Sequence, residues 1–89
     1  MNEVWIFHAE QAQLASGVFS TREQAEAWIR RHGLTGLLTS YPLDEGLYDW
    51  AVTHSPFRPK RSEHTTPTFI GRFTSAYRPN EHYRDGRPV

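Results

Sequence analysis

Residues 16–33, SGVFSTREQAEAWIRRHG, form the stretch that decides the fold. A short apolar run is followed by hydroxyl side chains and then by a helical pattern. Ser20 and Glu23 have the spacing of a capping box, in which each side chain bonds the other's backbone N–H. Thr21 and Gln24 have the same spacing one residue later, so the sequence leaves the first residue of the helix open between the two.

The helix carries its apolar residues on one face. Ala25, Trp28 and Ile29 follow each other in steps that place them on the same side. Gly33 comes directly after the pattern and predicts a left-handed helix stop. A helix of this length is marginal by itself in water, so we expect its apolar face to lie on a sheet.

Three segments rich in β-branched, leucine and aromatic residues predict the strands of that sheet. Val4 to His8, VWIFH, reads as an inner strand because it is almost continuously apolar. Residues 9–14 are short and predict a hairpin connection to a second, antiparallel strand over residues 15–19. A third strand is predicted after the helix over residues 37–41, ending at Pro42.

Residues 47–52, LYDWAV, fit two structures. Tyr48, Trp50 and Val52 alternate as they would in a strand. A helix from Glu45 to about His54, capped by Asp44, is the alternative that we favour, because it would end just ahead of a proline.

The last third of the chain has weaker signals. Residues 57–67 hold prolines without an apolar period and predict a loop. Thr66, followed by a proline, predicts the cap of a short helix over residues 68–73. A turn over residues 75–80 and an edge strand over residues 82–84 complete the pattern.

These elements predict one α+β domain over residues 1–89. It is a small two-layer domain, in which an antiparallel sheet with a β-β-α-β core carries one main helix on one face and one or two short helices besides. The core spans about residues 3–84, and residues 85–89 are predicted to be a frayed tail.

The composition limits the chemistry available to the chain. It contains no cysteine, which removes disulfides, thiolate metal sites and thiol nucleophiles. No apolar run approaches the roughly 20 residues of a membrane span, and the N-terminus lacks the pattern of a signal peptide. We therefore expect a cytoplasmic protein without a membrane partner.

The formal charge is zero, but it is divided between the two parts of the chain. Residues 1–53 carry a net charge of −4 and residues 54–89 a net charge of +4. Such asymmetry is consistent with a charged partner. It is equally consistent with two halves that face and neutralise each other.

Several segments resemble a small bacterial domain family of unknown function. The resemblance rests on VWIFH, on GVFS followed by AEAWI, on YDWA and on FIGRF, and it covers roughly residues 4–86. The family pattern would have glycine at Ala9 and histidine at Arg84, so this chain departs from it at both positions. The resemblance implies a bacterial source and a compact fold, and it implies no catalytic residues.

Catalytic and metal-binding motifs are not recognisable in the sequence. The five histidines form neither an H-x₃-H nor an HExxH pattern. Asp44, Glu45 and Asp49 could form an acid pair, but capping of a helix explains Asp44 more simply. We therefore expect no enzyme, no metal site and no cofactor.

A basic loop is the second feature of interest. Arg58, Lys60 and Arg61 follow Phe57, with Arg72 downstream, and such a group could bind phosphate or an acidic protein surface. Trp50 is a candidate anchor for a partner, because aromatic and arginine residues dominate binding hot spots.

The sequence favours a non-enzymatic protein-binding module, of which a bacterial immunity, antitoxin-like or regulatory protein is one form. The partner would be another protein, such as a toxin, or a second copy of the chain. A nucleic-acid-binding accessory domain that uses the loop over residues 58–61 is the alternative. The candidate partner-binding residues are Asp44, Glu45, Asp49, Trp50, Phe57, Arg58, Lys60, Arg61 and Arg72.

Overall fold

A five-stranded antiparallel sheet in the order β2-β1-β3-β4-β5 forms one layer of the computed structural model, which describes residues 3–74 and 77–89. This confirms the predicted small α+β domain. The elements in chain order are β1 (Glu3–Ala9), β2 (Gly17–Phe19), α1 (Arg22–His32), β3 (Gly36–Pro42), α2 (Leu47–His54), a 3₁₀ turn (Ser62–Thr65), α3 (Pro67–Arg72), β4 (Asn80–Arg84) and β5 (Arg87–Pro88).

The core lies between the sheet and α1. Opposite residues of antiparallel strands share a face, so the pairing of Phe7 with Leu38 directs both side chains towards the helix. Ile29 of α1 meets them, and all three side chains are completely buried. Each contributes about 1.5–3 kcal/mol by leaving water. The complete buried cluster is Trp5, Phe7, Ala25, Ile29, Leu38 and Tyr83.

The structure decides between the two alternative caps of α1. Thr21 has extended backbone angles, and its side chain accepts the Gln24 backbone N–H at 3.2 Å. Ser20 lies one residue outside the helix and donates its hydroxyl to the Gln24 side chain at 2.9 Å. Gly33 ends the helix with a φ of 62°, which confirms the predicted left-handed stop.

The ambiguous segment forms a helix, but the predicted cap is wrong. α2 begins at Leu47, and Gly46 occupies the cap position without a side-chain hydrogen bond. Asp44 lies too far ahead of the helix, in a turn where its φ is 63°. A capping side chain must directly precede the first helical residue, because it has to reach the N–H groups of the first turn. α2 is therefore two residues shorter at its start than predicted.

The C-terminal elements agree with the prediction in part. Thr66 accepts the Phe69 N–H at 3.2 Å, which confirms the cap of α3. Residues 75–76 of the predicted turn lie outside the described residues. The strand predicted over residues 82–84 lies inside the sheet rather than at its edge, because β5 pairs with it.

β5 occupies the positions for which the sequence predicts a frayed tail. Asp85 and Gly86, with φ values of 51° and 87°, form the tight turn between β4 and β5. The Val89 N–H donates to the carbonyl of His82 at 3.0 Å. The turn and this hydrogen bond hold the last residues on the sheet.

Candidate interaction surface

Five aromatic rings gather where α2, the following loop and α3 meet. We call Tyr48, Phe57, His64, Phe69 and Phe73 the aromatic cluster. The ring centroids of Phe57 and Phe73 are 4.9 Å apart, and those of His64 and Phe69 are 4.7 Å apart. Tyr48 brings α2 into the cluster, with its ring 5.6 Å from that of Phe73.

Local structure explains how the chain places these rings. Phe69 lies in α3 and Phe73 follows it by four residues at the helix end, so both project to one side. His64 is fixed by the backbone N–H groups of Lys60 and Arg61, which donate to its Nδ1 at 3.1 and 3.3 Å. Because Nδ1 accepts, the remaining proton of the neutral ring lies on Nε2.

The aromatic cluster is only partly covered by the rest of the domain. All five rings are half-buried, whereas the core beneath α1 contains side chains that are completely buried. A groove of about 580 Å³ lies beside Phe69 and Phe73. Arg72 and Thr68 line this groove and are exposed. Large rings left at the surface next to a groove are typical of a binding site.

The basic residues near the aromatic cluster differ in whether other groups of the domain already bind their side chains. The Arg58 guanidinium donates to the carbonyls of Val52, Ser55 and Phe57 at 2.9, 2.6 and 2.6 Å. It therefore closes the C-terminal end of α2, where carbonyl groups lack helical partners. Arg61 forms an exposed ion pair with Glu63 at 3.6 Å.

Lys60 and Arg72 remain available. Both are exposed, and no side-chain hydrogen bond or ion pair engages either one within residues 3–74 and 77–89. The predicted basic loop is thus present, but two of its charges already have partners in the domain.

Trp50, the predicted anchor, lies in a polar pocket away from the aromatic cluster. The Arg78 guanidinium lies 4.8 Å from the centroid of its ring, and His54 stacks on the ring at 5.7 Å. With Glu3 and Glu45, these three residues line a pocket of about 290 Å³. Trp50 is half-buried and is held mainly by contacts within the domain.

Arg78 also binds the sheet. Its Nε donates to the Ser40 carbonyl at 2.9 Å, and its Nη2 donates to the Ser40 hydroxyl and to Glu3, the latter at 3.2 Å. Ser40 in turn donates to the Glu3 carboxylate at 2.6 Å. The guanidinium therefore joins β1, β3 and the helix that carries Trp50.

The structure brings together some of the predicted site residues and separates others. Phe57 belongs to the aromatic cluster, and Arg72 lines the groove beside it. Glu45 shares the polar pocket with Trp50. Asp44 and Asp49 are exposed on the turn before α2 and in its first turn. The predicted residues thus belong to at least two separate surfaces.

Four residues of the aromatic cluster were not among the predicted site residues: Tyr48, His64, Phe69 and Phe73. The spacing of Phe69 and Phe73 is visible in the sequence, where it indicates an apolar helix face. That pattern does not distinguish a face turned to the core from one turned to a partner. Only the exposure of the rings makes the distinction.

A hydrogen-bonded group between α1 and β4 shifts the pKa values of Glu26 and Tyr83. The Tyr83 hydroxyl donates to Glu26 at 2.5 Å, and Arg22 donates to the same oxygen at 3.2 Å. The hydroxyl of Tyr83 first, and then Arg22, hold the pKa of Glu26 below its usual range. Burial, followed by the bond to Glu26, raises the pKa of Tyr83 to about 12.

Replacing Tyr83 with phenylalanine is expected to destabilise the domain by about 1.5 kcal/mol at pH 7, the lower end for a hydrogen bond to a charged group. The lowered pKa of Glu26 stabilises the fold above the carboxyl's unfolded pKa, and this contribution is lost as the pH falls through the folded value. The raised pKa of Tyr83 acts in the opposite sense, so its contribution is lost as the pH rises from about 10 towards 12.

Urea unfolding of both proteins at several pH values measures this effect. The difference in free energy of unfolding should narrow as the pH falls below the ordinary pKa of a carboxyl group and then through the lowered pKa of Glu26 in the folded protein. Tyr41→Phe is the matched control, since no hydrogen bond of the Tyr41 hydroxyl occurs among the described residues. A difference that stays constant from pH 3 to pH 8 would contradict the assignment.

The described residues contain no group of three or more histidine, aspartate or glutamate side chains that could hold a metal ion. None of the helices in the described part of the chain is long and apolar enough to cross a membrane.

Fold and surface together define a small α+β domain that presents a half-buried aromatic cluster beside a groove. The chain belongs to the family described as a domain of unknown function, DUF7710, whose model matches residues 4–89. This confirms the resemblance to a family of unknown function. No curated protein matches the chain significantly, and neither does any solved structure.

Proposed function

We propose that this domain is a non-enzymatic protein-binding module whose partner packs on the aromatic cluster. The observation that carries the proposal is the partial exposure of all five rings, of which Phe69 and Phe73 line a groove. Burying a large ring removes much apolar surface from water, which is why aromatic residues dominate the energetics of interfaces. The rings already pack on each other, so a partner would order few additional side chains.

Charge favours an acidic partner. Arg72 and Lys60 are exposed beside the aromatic cluster and are not engaged by other described side chains. Cations at the rim of an interface raise the rate of encounter with a negatively charged surface. A bacterial cytoplasmic protein of regulatory or immunity type, which acts by occupying a partner's surface, fits this arrangement.

Affinity capture from nuclease-treated lysate of the native host tests the proposal. We expect one protein to be retained by the wild type and at least tenfold less of it by Arg72→Glu, which reverses a charge in the groove. Arg87→Glu, in the exposed β5, is the matched control and should retain the wild-type amount. Equal capture by both variants, or no retained protein, would contradict the proposal.

Nucleic-acid binding is the second candidate, supported by the exposed cations next to rings on which bases could stack. Two facts weigh against it: Arg58 and Arg61 already have partners, and the chain has a formal net charge of zero. A mobility-shift titration with single- and double-stranded probes at low and moderate salt separates the two candidates. Loss of all captured material on nuclease treatment would favour nucleic acid.

A further inference from the structure

A second groove, which shares no lining residue with the groove beside Phe69 and Phe73, lies between the edge strand β2 and helix α1. We call it the edge groove. β2 is the first strand in the sheet order, so only one of its sides is paired, with β1. The groove has a volume of about 600 Å³ and is lined by Val18, Phe19, Ser20, Gln24, Ala27, Trp28 and Arg31.

The floor of the edge groove is apolar and rigid. The ring of Trp28 packs against Phe19 at 5.4 Å and against the fully buried Phe7 at 5.9 Å. Ala27 is exposed and small, so the helical wall leaves room for a side chain.

Helix α1 runs antiparallel to β2. Gly33, at the end of the helix, lies against Gly86 in the turn that follows β4. In the strand register, the end of β4 lies beside the start of β3, and the start of β3 lies beside the end of β1. The end of β1 in turn pairs with the start of β2. The last turn of α1 therefore lies at the same end of the sheet as the start of β2.

Arg31 lies in this last turn and supplies a positive charge to that end of the edge groove. It is exposed, and no hydrogen bond or ion pair engages its side chain in the part of the chain that the structure describes. At the other end, Ser20 and Gln24 are uncharged. The edge groove thus has one positively charged end and one uncharged end.

We infer that the edge groove binds an extended peptide of a partner protein, which adds to β2 as an antiparallel strand and places its C-terminal carboxylate at Arg31. An antiparallel strand ends where β2 begins, which is the end at which Arg31 lies. Backbone hydrogen bonds to an exposed edge provide affinity in this mode, and pockets for alternate side chains provide specificity. Two parallel bonds from arginine to a carboxylate would fix the terminus.

Charge argues for a peptide terminus over a second copy of the chain. A copy paired antiparallel through β2 would bring the other end of its groove to Arg31, and that end offers the uncharged Ser20 and Gln24. A C-terminal carboxylate supplies the missing negative charge. This surface is separate from the aromatic cluster, so either interface can fail without the other.

Selection from a library of random octapeptides with free C-termini tests the inference. Enriched peptides are synthesised as acids and as C-terminal amides, and their affinities are measured by fluorescence anisotropy. We expect apolar residues at alternate positions and at least tenfold tighter binding of the acid, which corresponds to about 1.4 kcal/mol. Arg31→Gln should abolish the difference between acid and amide.

Ala27→Glu, which narrows the groove and adds a negative charge, should weaken the acid at least tenfold. Ala12→Glu and Arg87→Gln are the matched controls at exposed positions outside the groove and should have no effect. Failure to enrich any peptide would overturn the inference. Peptides whose affinity is unchanged by both Arg31→Gln and Ala27→Glu would also overturn it. If Arg72→Glu weakened their binding instead, the binding site would be the aromatic cluster. If sedimentation shows a dimer and Ala27→Glu abolishes it, the occupant of the edge groove is a second copy of the chain and not a peptide.

Discussion

Gly36→Ala is expected to lower the free energy of unfolding by about 3 kcal/mol or more, at or beyond the upper end of the usual cost of overpacking. A Cβ at this position would lie 2.4 Å from the carbonyl oxygen of His8 and 2.8 Å from the Cα of Ala9. Both atoms belong to the backbone of β1, which pairs with β3 at this point. No side-chain rotation can relieve such a contact, so the two strands would have to separate.

Gly71→Ala is the matched control, and we expect it to raise the free energy of unfolding instead of lowering it. A Cβ at Gly71 would meet nothing within 4 Å, and the residue lies within α3. The change should stabilise the domain by about 0.5–1 kcal/mol, because glycine loses more backbone freedom than alanine in a helix. Urea unfolding of both variants at pH 7 is the measurement. Equal stability of Gly36→Ala and the wild type would show that β1 and β3 are not held this close.

Arg78→Ala is expected to lower the free energy of unfolding by about 3 kcal/mol, at the low end for removing one member of a buried ion pair. Arg78 is only 8% exposed and Ser40 is completely buried. The change would leave the Ser40 carbonyl without its guanidinium donor and Glu3 without its cation. The side chain of Glu3 is 33% exposed, so water can replace part of what it loses.

The same change has a consequence for binding. Arg78 contacts Trp50 as well as the sheet, and α2 also carries Tyr48 of the aromatic cluster. We therefore expect Arg78→Ala to reduce partner capture even at temperatures where the domain remains folded. Arg87→Ala, an exposed arginine, should change stability by less than about 0.5 kcal/mol. Thermal unfolding that is alike for the two variants would refute the role given to Arg78.

Much of the fold could be predicted because its signals are local. The helix stop at Gly33 and the cap at Thr66 depend only on neighbouring residues, and both are confirmed. The cap predicted at Asp44 is a local error, whereas the frayed tail is wrong because a distant segment decides its structure. β5 forms because β4 lies beside it, and two residues with a glycine turn carry almost no strand signal of their own.

The candidate site could be predicted only in part for the same reason. Phe57 and Arg72 stand out because they accompany a run of basic residues in a loop. Nothing in the sequence reveals that the Arg58 guanidinium turns back onto α2, or that Arg78 becomes buried, because both depend on how the chain returns on itself.

The sequence by itself determined the secondary structure around α1, the antiparallel orientation of the first three strands and the absence of thiol chemistry. Capping, periodicity and composition are properties of neighbouring residues, and each can be inferred without knowing what packs where. The tertiary structure alone decided which apolar faces are covered. Two apolar residues four apart are completely buried at Ala25 and Ile29 but half-exposed at Phe69 and Phe73. The sheet covers α1, whereas the rings of Phe69 and Phe73 pack on Tyr48 of α2 and on Phe57 of the loop. Exposure depends on the distant elements that a helix meets, and it is this exposure that turns an apolar helix face into a candidate binding surface.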